Sequence, residues 1–204
     1  MMQPGRFITF EGIDGAGKST QLQQLSDHLT QAGICVVKTR EPGGTPVGEL
    51  LRDIVLNQAM SAQAETLIMF AIRAEHLREL IKPALAQGHW VVCDRFTDAS
   101  YAYQCGGRGL APAHIDTMVQ WVHPGFAPDL TFLVDIDPKV AAARLARARA
   151  ADRFESETLD FFSRVRNAYL ERANQEPERF CVLDGSANSQ DIHQRICTRI
   201  AKWL

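Results

Sequence analysis

Residues 7 to 20 read Phe-Ile-Thr-Phe-Glu-Gly-Ile-Asp-Gly-Ala-Gly-Lys-Ser-Thr, and no other stretch constrains the fold as strongly. Phe7–Phe10 is a short apolar run of strand formers. Gly12-x-x-x-x-Gly17-Lys18-Ser19 follows, and then Leu22, Leu25 and Leu29 recur at helical spacing. Strand, glycine-rich loop and helix in that order are the setting that a phosphate-binding loop requires. Gly12, Gly15 and Gly17 let the backbone curl with its N–H groups pointing inward. Those groups and the start of the next helix attract phosphate oxygens. Gly12, Ile13, Asp14, Gly15, Ala16, Gly17, Lys18, Ser19 and Thr20 are therefore the candidate loop for the phosphates of ATP. Lys18 supplies a point charge for the β- and γ-phosphates, and Ser19 a hydroxyl for Mg²⁺. The plainer alternative is a strand-to-helix turn with a chance lysine, and the flanking pattern argues against it.

The rest of the chain alternates strand and helix. Strands are expected at Phe7–Glu11, Ile34–Thr39, Trp90–Asp94, Leu130–Asp135 and Phe180–Leu183. They are short and continuously apolar, as parallel strands buried on both faces are. Helices are expected at Ser19–Gln31, from Pro46 (capped by Thr45) to about Leu56, and over Ala62–Gln87 with an interruption near Pro83. Others are expected at Pro112–Val122, Lys139–Ala150, Thr158–Asn174 and Ser189–Trp203. This is the pattern of one α/β domain, a five-stranded parallel sheet with helices on both faces. With 204 residues, 46% of them apolar, the chain can fill one sizeable core. Ligands of such sheets bind beyond the carboxyl ends of the strands, so the residues just after each strand carry the functional information.

Bulk properties exclude other classes. A net charge of −2 gives no electrostatic case for a nucleic-acid or membrane partner. No signal peptide is evident, and the longest strongly apolar run, Leu67–Ile72, is far too short to span a bilayer. Cys35, Cys93 and Cys181 lie in apolar strand-like runs and are expected to be reduced core residues. A soluble cytoplasmic protein is the expectation. Asn-Lys-x-Asp, His-Arg-Asp and Asp-Phe-Gly are all missing from the sequence, which weighs against GTPases and protein kinases.

The third strand ends in Asp94-Arg95. Asp94 is placed to hold a carboxylate beside the loop's Mg²⁺. Arg95 follows where many ATPases carry a water-activating Glu. Arginine activates water poorly but grips a phosphate with two N–H groups, which favours phosphoryl transfer to a phosphate-bearing acceptor over hydrolysis.

Several motifs together resemble the thymidylate kinase family, a branch of the bacterial-type P-loop nucleoside monophosphate kinases. They are Phe10–Thr20, Thr39-Arg-Glu-Pro-Gly-Gly-Thr45, Phe70-Ala-Ile-Arg73, Asp94-Arg95-Phe96 with Ser100, Tyr103 and Gln104 downstream, and the Arg-rich stretch 144–153. They occur in family order over nearly the whole chain. The resemblance implies transfer of the ATP γ-phosphate to dTMP with Mg²⁺, giving dTDP and ADP for dTTP synthesis, in a homodimer.

The resemblance also implies roles. Phe70 would stack on thymine and Arg73 donate to its O4. Alone, the pair fits an amphipathic helix with Phe70 in the core and Arg73 at its rim. Gln104 and Ser100 would contact the pyrimidine edge and Tyr103 would crowd the ribose 2′ position, although both Tyr103 and Gln104 equally suit packing residues with polar tips. Where the family often has Ser, this chain has Ala99 with Ser100 next, and the polar contact is expected at Ser100. Asp14 would face the acceptor sugar hydroxyl or a Mg²⁺-bound water. Glu41 and Pro42, in a cis turn, would hold a loop over the acceptor phosphate; otherwise they form a tight turn before a helix. Some family members carry an arginine at the position of Gly15. Here the cation for the transferring phosphoryl would come from a lid spanning about 144–155, through Arg147, Arg149 and Arg153. An Ala/Arg-rich run is otherwise a solvated helix. Lys18, Arg95, Asp14 and those lid arginines form the expected catalytic set. A kinase for other pyrimidine monophosphates and an ATP-binding regulatory switch are the rival readings.

Overall fold

A computed structural model describes residues 5–146, 153–154 and 157–204. Five strands, β1 (Phe7–Glu11), β2 (Val36–Arg40), β3 (Trp90–Asp94), β4 (Leu130–Asp135) and β5 (Phe180–Asp184), form one parallel sheet in the order β2-β3-β1-β4-β5. The helices are α1 (Lys18–Gln31), α2 (Pro46–Asn57), α3 (Ala62–His76), α4 (Lys82–Ala86), α5 (Thr97–Ser100), α6 (Pro112–Val122), α7 (Pro138–Leu145), α8 (Leu159–Gln175) and α9 (Ser189–Ile200).

The central strands are the most apolar because both of their faces are covered. Every residue of β1 is buried, whereas the edge strands β2 and β5 are only partly buried. Side chains alternate. Ile8, Phe10 and Val92 join Leu25, Leu29 and Ile196 of α1 and α9 in one layer. Phe7, Val91 and Cys93 join Leu77, Ile81 and Phe96 in the other. Two buried hydroxyls inside the sheet satisfy each other, Thr9 Oγ1 lying 2.8 Å from Thr131 Oγ1.

Several expectations need correction. The second strand begins at Val36, two residues late, and Cys35 is exposed rather than in the core. The interruption expected near Pro83 is found: α3 ends at His76 and α4 restarts at Lys82, with Pro83 in its first turn. A π-helical turn over Leu77–Ile81 widens the helix just before the proline, whose missing N–H needs no partner at the start of α4. The helix expected to run to Ala150 is described as Pro138–Leu145, and residues 147–150 lie outside the described residues. The segment after β3, which lies outside the expected helices, is helical: α5 continues as a π-helical turn over Tyr101–Gly107. It packs closely on α8, where a Cβ at Gly106 would come within 2.6 Å of Ala168 and one at Gly107 within 2.5 Å of Phe161. That segment brings Ser100, Tyr103 and Gln104 to the carboxyl end of the sheet.

Candidate active site

The strand order places β3 and β4 on either side of β1, so the chain changes direction at β1's carboxyl end. A crevice opens there by topology alone. The loop after β1 turns sharply. Gly12 has φ 132°, and a Cβ there would sit 2.4 Å from the Val134 carbonyl oxygen. Gly15 (φ 81°) is as constrained, 2.4 Å from the Ala141 carbonyl oxygen, so an arginine at this position would require α7 to shift. The helices α2, α3, α8 and α9 are capped by Thr45, Ser61, Thr158 and Asn188, but α1 has no side-chain cap. Its first-turn N–H groups are left for an anion. Lys18 is buried and donates to the Ile13 carbonyl at 3.1 Å. Burial, and then the Arg95 cation, lower its pKa. Ser19 Oγ donates to Asp94 Oδ2 at 3.4 Å, while Asp94 Oδ1 is buried with no hydrogen-bond partner among the described residues.

Arg95 has a left-handed backbone, φ 71°, a costly conformation for a side-chain-bearing residue that marks functional turns. Its guanidinium donates 2.8 Å hydrogen bonds to Asp14 Oδ1 and to the Tyr103 hydroxyl, and lies 4.7 Å from the Tyr103 ring centre. Tyr103 in turn donates to Asp14 Oδ2 at 3.2 Å. Burial alone would raise the Asp14 carboxyl. The Arg95 and Lys18 cations and the hydrogen bonds from Arg95 and Tyr103 outweigh it and bring the pKa to about 2.

A second polar cluster lies beneath the turn after β2. The Glu41–Pro42 bond is cis. Glu41 accepts from Arg73 Nε at 2.8 Å, and its other oxygen lies 3.0 Å from His76 Nδ1. Burial pushes the Glu41 carboxyl up, but the Arg73 cation and the His76 hydrogen bond hold it below its ordinary value. Arg73 is 1% exposed; it also donates to Ser100 Oγ and the Phe96 carbonyl. With three hydrogen bonds it is held in one orientation.

Between the two clusters lies a cavity of about 250 Å³. Asp14, Ser19, Glu41, Pro42, Arg73, Asp94, Arg95 and Tyr103 line it, as the sequence reading brought together. Phe70 does not. Its ring is fully buried, parallel to His123 at 6.4 Å and 4.6 Å from the Arg73 guanidinium carbon. Its neighbour Met69 lines the wall instead. Ser100 is also displaced from its expected place: it is fully buried and accepts from Arg73, while Ala99 faces the cavity. Gln104 is fully buried off the wall, and its Oε1 has no partner among the described residues. Arg40 and Arg52 were missed, and both add cations to the lining. Arg40 stood inside the quoted Thr39–Thr45 motif, whereas Arg52 reads as one more polar residue of an amphipathic helix.

The lid is only partly described. Arg147 and Arg149 lie outside the described residues. Arg153 donates to the Val55 carbonyl at 2.9 Å and to Glu65 Oε2 at 2.7 Å. Glu65, 1% exposed, also accepts from Gln104 Nε2 at 2.8 Å through its other oxygen.

A family model described as thymidylate kinase matches residues 10–196. The chain belongs to the thymidylate kinase family. The thymidylate kinase of Thiobacillus denitrificans is 58% identical over 196 residues, 96% of each chain. That of Bordetella pertussis is 56% identical over 204 residues, all of this chain and 98% of its own. The crystal structure of thymidylate kinase from Ehrlichia chaffeensis superposes with a TM-score of 0.81 at 35% identity, covering 97% of this chain and 99% of its own. Family membership and the shared P-loop kinase fold make the chain a phosphotransferase, a nucleoside monophosphate kinase.

Proposed function

We propose that the cavity at the carboxyl ends of β1, β2 and β3 is where dTMP receives the γ-phosphate of ATP, giving dTDP and ADP. The observation that carries this reading is the cavity's position. It takes in Asp14 and Ser19 of the phosphate loop and is lined by Arg95, Arg73, Arg40 and Arg52. An anion entering it meets cations on several sides, as in-line transfer between two anions requires. Gly12, Ile13, Asp14, Gly15, Ala16, Gly17, Lys18, Ser19 and Thr20 cradle the ATP phosphates with backbone N–H groups and the Lys18 ammonium.

Arg95 holds the acceptor phosphate, exchanging its bond to Asp14 for the incoming oxygens. Asp14, ionised near neutrality, then accepts from the acceptor sugar hydroxyl. Tyr103 crowds the ribose 2′ position. Arg73, fixed by Glu41 and Ser100, donates to thymine O4, and Gln104 Oε1, without a partner among the described residues, accepts from N3–H. Met69, not Phe70, covers the ring. The lid arginines Arg147, Arg149 and Arg153 supply further charge on closure, with Arg153 leaving Glu65. The chain works as one domain.

Mg²⁺ fits between Ser19 and Asp94, where a buried carboxylate oxygen lacks a partner among the described residues. When bound, it neutralises charge on the transferring phosphoryl. Leu50, Leu67 and Trp121, exposed on α2, α3 and α6, support a homodimer. Five free cysteines suit a reducing cytoplasm, and among the described residues no helix is long and apolar enough to cross a membrane.

A panel of nucleoside monophosphates in an ADP-release assay tests the base assignment. Cytosine reverses the hydrogen-bonding sense of thymine at both edge positions, so dTMP is expected to exceed dCMP by up to ~10⁴-fold, and dUMP by only about 10–200-fold. Equal use of dTMP, dCMP and UMP would refute it, and tight ATP binding without transfer would favour a regulatory switch.

A further inference from the structure

Away from the residues that line the cavity, α1 and α9 bring together His28, His193 and Cys197. One nitrogen from each imidazole and the Cys197 sulfur lie within 4.8 Å of one another. We propose that these three residues form a binding site for a borderline-soft divalent cation of the Zn²⁺ class, which ties α1 to α9.

The donor set is one that zinc prefers, two imidazoles and a thiolate. His193 and Cys197 are one helical turn apart on α9 and project from the same face. Cys197 Sγ lies 3.4 Å from His193 Nε2. Zn–N and Zn–S bonds of ~2.0 and ~2.3 Å at tetrahedral angles put nitrogen and sulfur ligands about 3.6 Å apart, so this edge is already near its bound length. His28, in the last turn of α1, needs a shift of only about 1 Å to close the triangle, given the same bond lengths. Its ring meets that of His193 edge-on, with centres 5.9 Å apart.

Packing alone leaves these polar atoms poorly served. His193 Nδ1 is buried with no hydrogen-bond partner among the described residues. His28 makes no side-chain hydrogen bond among them, and Cys197 has only His193 as a partner. A cation held through His193 Nε2 gives His28 and Cys197 the partner that the helix pair does not, while His193 Nδ1, the ring's other nitrogen, points away from that ion. All three side chains are half-buried, so an ion can enter, and water can take the fourth position. The site is separate from the phosphate loop: ten residues of α1 part His28 from Lys18, about 15 Å along the axis.

The test is Co²⁺ titration of the reduced, metal-free full chain in excess Mg²⁺, which occupies oxygen-ligand sites. One equivalent is expected to bind with tetrahedral visible absorption and a sulfur-to-metal charge-transfer band, and Zn²⁺ should displace it. Cys197→Ser should abolish that band. His28→Ala and His193→Ala should each weaken affinity at least ~10-fold, because even lost outer-shell contacts cost 10–100-fold. Far-ultraviolet circular dichroism establishes that each variant is folded, and the conservative Cys197→Ser keeps the test open if a histidine variant is not. No stoichiometric binding by the wild-type chain would overturn the proposal. So would a charge-transfer band that survives in Cys197→Ser, which would assign the thiolate to Cys35, Cys105 or Cys181.

Discussion

If Gln104 reads the base, as proposed, Glu65 sets the direction in which it does so. A carboxylate can only accept, so its 2.8 Å contact with Gln104 fixes the amide nitrogen toward Glu65 and leaves Oε1 as the free acceptor. An acceptor there suits thymine N3–H and repels the bare N3 of cytosine. Glu65→Gln keeps the volume but removes the charge, and the new amide can present either end, so Gln104 is free to turn over. A hydrogen bond to a charged group contributes ~1.5–3 kcal/mol. Losing the bias therefore lowers kcat/KM for dTMP by about 10- to 150-fold at ~1.4 kcal/mol per decade. The same flip gives cytosine a donor, so the dTMP-over-dCMP ratio should shrink by more than the loss on dTMP alone. The dTMP-over-dUMP ratio, which depends on a methyl contact, should stay within about threefold, since no hydrogen bond distinguishes the two bases. ADP release on all three nucleotides measures each term. A folded Glu65→Gln enzyme with lowered activity but an unchanged dTMP-to-dCMP ratio would refute the reasoning and leave Glu65 as a structural partner of Arg153 and Arg108.

Lys18→Ala should cut turnover by at least ~10²-fold, the loss of one preorganised electrostatic contact, while circular dichroism shows a folded chain. Arg95→Lys keeps the charge but loses the fork; steady-state kinetics should show KM for dTMP rising and turnover falling, with KM for ATP little changed. Met69→Ala should raise KM for dTMP with little change in thermal midpoint, whereas Phe70→Ala should cost ~3–5 kcal/mol of stability as a core truncation; the reverse pattern would return the stacking role to Phe70. Glu11 is fully buried, and burial, then the Asp98 carboxylate, push its pKa up to about 8 despite hydrogen bonds from Tyr169 and Phe96. The folded state therefore binds a proton that the unfolded state releases near 4.5, and this group's stabilising contribution falls as pH rises from about 4.5 to about 8. Denaturant melts should show Glu11→Gln gaining stability relative to wild type across that window, and a pH-independent difference would count against a protonated Glu11.

The sequence by itself determined the local devices. Glycines at positions 12 and 15, where a Cβ would strike a carbonyl, specify the phosphate loop, and a continuous apolar run specifies a strand covered on both faces. Thr45-Pro46 starts a helix through a cap that bonds the Gly48 N–H at 3.0 Å. Each is decided within a few residues, by sterics or a short hydrogen bond, and so can be read from a window of the chain. Family motifs carried the reading further, to Asp14, Arg95 and Arg73.

Only the tertiary structure decided which neighbour in a helix faces the cavity. Met69 and Phe70 are both apolar, and about 100° of helical rotation separates them; the packing of α3 against the His123 region takes Phe70 into the core and leaves Met69 on the wall. Ser100 and Ala99 are divided in the same way by the segment after β3, whose helical course depends on α8 approaching Gly106 and Gly107 from some sixty residues away. Gln104 gained its sense of direction from Glu65, thirty-nine residues earlier in the chain. The His28, His193 and Cys197 cluster was invisible for the same reason. Its members are ordinary helical residues until two helices from opposite ends of the chain are packed together, and proximity across such a distance is a property of the fold, which no local pattern records.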